Sequence, residues 1–169
     1  MADNLETITC PACGKQMEKV YMKDQNMNLD VCLNGCGGIF FDNREFKKTD
    51  ENAEDITPLI DALKNKEFNK VTSTEKRFCS TCGSPMVKNF ASAKHQIEID
   101  ECYNCGSKFL DYDELKKIRA QYETEAERGE DALKKFYQEY ASEIDAFDLK
   151  YSKQMGSPSL LTRILKSRF

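Results

Sequence analysis

The stretch that decides the fold is Cys10-Pro11-Ala12-Cys13-Gly14, answered by Asp30-Val31-Cys32-Leu33-Asn34-Gly35-Cys36-Gly37-Gly38-Ile39-Phe40-Phe41-Asp42. Two cysteines two or three residues apart on a tight turn can aim both sulfurs at one point. The 18 residues between the pairs then form a hairpin that sets the second turn opposite the first. This is the spacing of a tetrahedral thiolate site. Gly14 and Gly37 each follow the second cysteine of a pair, where the loop needs a positive φ. Met27, Leu29 and Val31 alternate with Asn28 and Asp30, which predicts a strand with one wet face. Gln25-Asn26 is the expected hairpin turn.

Working outward, the same pattern returns at a shift of 69 residues, Cys10 to Cys79. Cys79/Cys82 and Cys102/Cys105 repeat the two pairs, with 19 residues between them. Gly83 matches Gly14, Met86 matches Met17 and Gly106 matches Gly37. Phe109-Leu110-Asp111 matches Phe40-Phe41-Asp42, and Glu114-Leu115-Lys116-Lys117 matches Glu45-Phe46-Lys47-Lys48. Ile97 and Ile99 alternate with Glu98 and Asp100, with a turn expected across residues 91–95. In both copies an Asp-x-x-Glu box, Asp42/Glu45 and Asp111/Glu114, predicts a capped helix start. Phe40/Phe46 and Phe109/Leu115 are then expected to pack that helix on the hairpin.

All eight cysteines are used by the repeat. No leader segment or membrane span is visible in the sequence, so the expected compartment is the cytoplasm. In a reducing compartment such cysteines are metal ligands sooner than disulfides or a redox pair. The expected ligands are Cys10, Cys13, Cys32 and Cys36, and Cys79, Cys82, Cys102 and Cys105, holding two Zn²⁺ per chain. Four thiolates suit iron as well, and spacing alone does not separate the two. A hairpin of about 40 residues cannot bury enough apolar surface to offset its chain entropy. Metal binding supplies the deficit, about 10–16 kcal/mol in small zinc peptides.

The segment from Cys10 to Phe46 resembles the TFIIB-type zinc-ribbon family found in many small bacterial proteins. The segment from Cys79 to Leu115 resembles a second, more diverged copy. The resemblance implies four-cysteine zinc ribbons with a role near transcription or nucleic acid. The chain departs from the family in the longer loop Leu33-Asn34-Gly35, in Ser107 where a second glycine is usual, and in Phe40 and Phe109 where Trp is common.

The rest reads as helix. Thr57-Pro58 opens a short helix with a hydroxyl cap and an early proline, carrying Leu59, Ile60 and Leu63. Leu133, Phe136, Tyr137, Tyr140, Ile144, Phe147 and Tyr151 form an apolar stripe, with a break or bend expected at Gly129. The expected class is a small α+β protein: two four-cysteine ribbon hairpins, each followed by a helix, plus a C-terminal helical hairpin. The expected segments are a first ribbon at 1–48, a helical linker at 49–77, a second ribbon at 78–117, a helical region at 118–155 and a basic amphipathic tail at 156–169. That tail holds Arg163, Lys166 and Arg168 and no acid, and is expected to be flexible or to dock on a partner.

Four thiolates fill a tetrahedron and leave no position for reacting water. His95, the single histidine, is expected on a solvated turn. With no catalytic motif elsewhere, the chain is expected not to be an enzyme. A net charge of −4 weakens the case for nucleic acid. The favoured function is a zinc-stabilised interaction protein, an adaptor of transcription or translation machinery. Direct nucleic-acid binding, through Lys15, Lys19, Lys23, Arg44, Lys47 and Lys48, is the alternative. A thiol-based redox or metal switch is the third reading. The 133–151 helix offers a homodimer face.

Overall fold

Strand alternation builds the first ribbon. In this computed structural model, which describes residues 6–72 and 74–168, β1 (Glu18–Met22) pairs antiparallel with β2 (Met27–Val31). Asn26 closes their turn at φ 48°, and its N–H donates to the Lys23 carbonyl. Met27, Leu29 and Val31 are buried, as their alternation predicts. β3 (Ile39–Phe41) follows the second cysteine loop and pairs with β2. The second copy lays down β4 (Val87–Phe90), β5 (Glu98–Glu101) and β6 (Lys108–Leu110) in the same way.

The two ribbons are not separate beads. β3 pairs antiparallel with β6, giving one six-stranded sheet in the order β1-β2-β3-β6-β5-β4. Ile39 faces Leu110, Phe40 faces Phe109 and Phe41 faces Lys108. Positions 40 and 109 are repeat equivalents, so a pseudo-two-fold axis passes through that pair. The register has a simple cause. A three-stranded ribbon ending in a fully buried strand would leave an apolar edge with unpaired backbone groups. Each copy covers the other's edge.

Successive strand residues point to opposite faces, and both faces are buried at the centre. One face carries Met22, Leu29, Val31, Ile39, Phe41, Ile99 and Leu110, packed with Phe46 and with helix residues Leu59, Leu115 and Ile118. The other carries Phe40 and Phe109, packed with Met17, Met86 and buried cysteines. This corrects one expectation. Phe41, not Phe40, meets Phe46, with ring centroids 5.5 Å apart edge to face. Leu110, not Phe109, shares the core of Leu115.

The helix starts also differ from expectation. Only half of each capping box forms. Glu45 and Glu114 reach back to accept the N–H of Asp42 and Asp111 at 2.8 Å. The aspartate side chains are drawn elsewhere: Asp42 accepts from the Thr81 hydroxyl, and Asp111 accepts from Arg77. The first copy makes only a 3₁₀ turn, Phe46–Lys48, while the second makes α2 (Glu114–Arg119). In the linker, α1 (Thr57–Leu63) starts without a hydroxyl cap, because Asp55 accepts both the Thr57 N–H and its hydroxyl.

The chain divides into two compact units, Met1–Thr124 and Glu125–Phe169. The second is a helical hairpin. α3 (Glu125–Met155) runs through Gly129 without a break and kinks instead at Tyr140 (φ −110°, ψ 18°). Gly156, in the left-handed region at φ 73°, ends it. α4 (Leu160–Arg168) then packs back on α3. Ser159 caps α4, its hydroxyl accepting the Thr162 N–H, while its own N–H donates to Asp148 at 2.8 Å. Lys166 pairs with Asp145 at 2.8 Å, and Leu165 is buried. The basic segment is thus docked on its own chain. Among the described residues no helix is long and apolar enough to cross a membrane.

Candidate metal centres

Four short loops carry the cysteines, and each is set by the same backbone device. In the first, the Cys10 N–H donates to the Lys15 carbonyl and the Gly14 N–H to the Cys10 carbonyl. The matching bonds in the second copy run from Cys79 to Ser84 and from Gly83 to Cys79. The other two loops repeat it around Cys32 and Cys102. Gly14, Gly37, Gly83 and Gly106 all hold φ between 72° and 81°, the expected reason for glycine there. The chain turn leaves backbone N–H groups aimed at sulfur: those of Ala12 and Cys13 at Cys10, of Gly38 at Cys36, and of Thr81 and Cys82 at Cys79.

The eight cysteines come together as two groups, Cys10/Cys13/Cys32/Cys36 and Cys79/Cys82/Cys102/Cys105, with all sulfurs in a group within 4.8 Å of one another. Sγ–Sγ separations are 3.5 Å for Cys10–Cys36, 3.4 Å for Cys13–Cys32, and 3.5 Å for both Cys79–Cys105 and Cys82–Cys102. A disulfide needs about 2.0 Å. Tetrahedral zinc, with Zn–S near 2.3 Å, places its sulfurs about 3.8 Å apart. The donor set and its spacing fit zinc, one ion per group and two per chain.

Electrostatics agree with a site built for a cation. Its hydrogen bond to Cys36, and then burial, push the Cys10 thiol far above the ordinary range, and the same bond holds Cys36 down at about 5. Burial pushes Cys32 up to about 11 and Cys79 up to about 12, and it raises Cys102 as well. Hydrogen bonds from Asn104 and Ser84 hold Cys82 down at about 5. A divalent ion removes the conflict by displacing the protons.

The longer loop Leu33-Asn34-Gly35 is accommodated by close approach. A Cβ at Gly35 would lie 2.6 Å from the Cys32 sulfur and 2.8 Å from the Cys13 sulfur. The extra residue folds over the site, and only glycine fits. The Lys15 ammonium donates to the Asn34 carbonyl at 2.8 Å, and the Asn69 N–H to the Gly35 carbonyl at 2.9 Å.

Contacts between the copies position both centres. The Ser80 hydroxyl donates to the Thr9 carbonyl and the Thr81 hydroxyl to Asp42, tying the first cysteine loop of copy two to copy one. Arg77 is buried, 5.0 Å above the Phe109 ring, and pairs with Asp100 at 2.6 Å and with Asp111 at 2.9 Å. Lys88 also reaches Asp100, just as Lys19 reaches Asp30 in the first copy. Arg77 was not legible as a key residue, because it stands in a polar run with no partner near it in sequence. Arg119 likewise binds the carbonyls of Thr49 and Glu54. His95 lies on the exposed β4–β5 turn with its ring stacked on Phe90 and belongs to neither cysteine group.

Residues 9–50 match a family described as the transcription factor zinc-finger, a TFIIB-type zinc ribbon. The second four-cysteine group lies outside that match. No curated protein matches the chain, and no solved structure does.

Proposed function

We propose that the chain is a non-catalytic, zinc-stabilised interaction protein, in which both repeats are zinc ribbons and the helical unit offers the partner surface. The observation that carries this is the apolar side of α3. Leu133, Phe136, Tyr140 and Phe147 are all exposed, and Phe147 is 54 % accessible. No residue of that 31-residue helix is buried. So much apolar area on one element is the mark of an interaction site. Both cysteine groups are complete with four thiolates, which supports a structural role for the metal. An adaptor in transcription or translation machinery agrees with the family matched by the first ribbon.

Direct nucleic-acid binding draws less support. Lys19 is committed to Asp30 at 2.9 Å and Lys15 to a backbone carbonyl, so two of the six basic residues of the first ribbon are already engaged. The deciding experiment is a crosslinking pull-down from native cells with the zinc-loaded chain and with Phe136→Ser/Phe147→Ser. Capture of a defined protein by the parent and not by the variant supports the proposal. Equal capture by both, or salt-sensitive retention of nucleic acid alone, counts against it.

A further inference from the structure

The two metal centres are equivalent by repeat but not by access. In the first, Cys10, Cys32 and Cys36 are buried and Cys13 is half-buried. The linker crosses this centre: Phe68 lies against Gly37, its ring 4.7 Å from that of Tyr112 and tilted by 46°, and the Asn69 N–H donates to the Gly35 carbonyl. Among the described residues the second centre has a smaller cover, the Asn43 side chain against Gly106. Cys82 is exposed, Cys105 is half-buried, and Tyr103 on the adjoining loop is 72 % accessible. Cys102, by contrast, is fully buried and sits 3.5 Å from the Cys82 sulfur.

We infer that Cys82 and Cys102 form an oxidative modification site for hydroperoxides, through which the second centre opens while the first stays closed. The chemistry is two-electron thiol oxidation. The Cys82 thiolate attacks one peroxide oxygen and the O–O bond breaks. Cys82 becomes a sulfenic acid, and the leaving oxygen takes a proton as water or alcohol. The Cys102 thiolate then attacks the Cys82 sulfur. An S–S bond forms, the S–O bond breaks, and hydroxide leaves as water with a second proton. Two thiolates have lost two electrons and the peroxide has gained them. Cys79 and Cys105 alone remain as donors, too few to close a tetrahedron. The inference rests on the cysteine geometry and is independent of the partner surface on α3.

The test uses the full-length, zinc-loaded chain. Hydrogen peroxide is added with a zinc-sensitive dye present, and the cysteines are mapped by non-reducing peptide mass spectrometry. One ion of the two should leave at least about tenfold faster than the other, since oxidation follows exposure of the thiolate. The fast phase should coincide with a Cys82–Cys102 disulfide and with intact thiols at Cys10, Cys13, Cys32 and Cys36. Release of both ions at one rate, earlier loss from the first centre, or release with Cys82 still reduced would overturn the inference.

Discussion

Phe40 and Phe109 lie directly opposite each other across the β3–β6 pairing, both with no accessible surface. Each belongs to a different copy of the repeat, and each packs among the cysteines and methionines of the metal-bearing face. The pair therefore links two centres that are far apart in sequence. It also makes the ribbons one folding unit.

Replacing either ring tests that link. Phe109→Ala is expected to cost about 3–5 kcal/mol, the usual range for a buried aromatic truncated in a core. Phe40→Ala should cost a similar amount, because Phe40 is equally buried and packs in the same cluster. Urea unfolding of the zinc-loaded chain measures both. A small effect in either would mean that the copies fold independently.

Gly35→Ala should act on one centre only. Its Cβ would fall 2.6 Å from the Cys32 sulfur and 2.8 Å from that of Cys13, so the loop or the two sulfurs must shift. Overpacking of this kind costs about 1–3 kcal/mol. Competition with a graded chelator should show weaker binding at the first centre and an unchanged second one.

Arg77 holds two carboxylates in a buried place. Burial acts to lower its pKa, but Asp111 and Asp100 more than offset this and the net shift is upward. Arg77→Met leaves Asp100 buried with Lys88 alone, and the expected loss is about 3–5 kcal/mol. Adding Asp100→Asn should restore part of it. A double-mutant cycle by urea unfolding gives the coupling, which should be clearly non-zero.

Zinc loading should release protons. Cys10, Cys32, Cys79 and Cys102 are all raised above the ordinary thiol value of 9.0, so at neutral pH each carries a proton in the metal-free chain. Two belong to each centre, and both must leave when the thiolates take up an ion. Affinity therefore rises with pH through the neutral range and falls in acid. Calorimetry in buffers of different ionisation enthalpy should give at least two protons released per ion.

Much of this architecture is legible in the sequence. The cysteine pairs, the glycines behind them and the alternation of Met27, Leu29 and Val31 are local signals, and local signals survive folding. The joining of the copies was not legible. Ile39-Phe40-Phe41 is too short and too uniformly apolar to show which face each residue takes, and the sequence alone points Phe40 to the helix side. Register settles it, and register here depends on a strand 69 positions away. Gly129 misled because an exposed glycine with open space around it costs a helix only about 1 kcal/mol. The half-formed capping boxes share one cause, since Thr81 and Arg77 approach the aspartates from distant sequence.

Both four-cysteine groups of this sheet fit thiolate-bound metal. Native mass spectrometry of the purified full-length chain tests this most directly. Two zinc ions should be retained on every folded chain, one for each cysteine group. A compact, folded chain that carries no metal would contradict it.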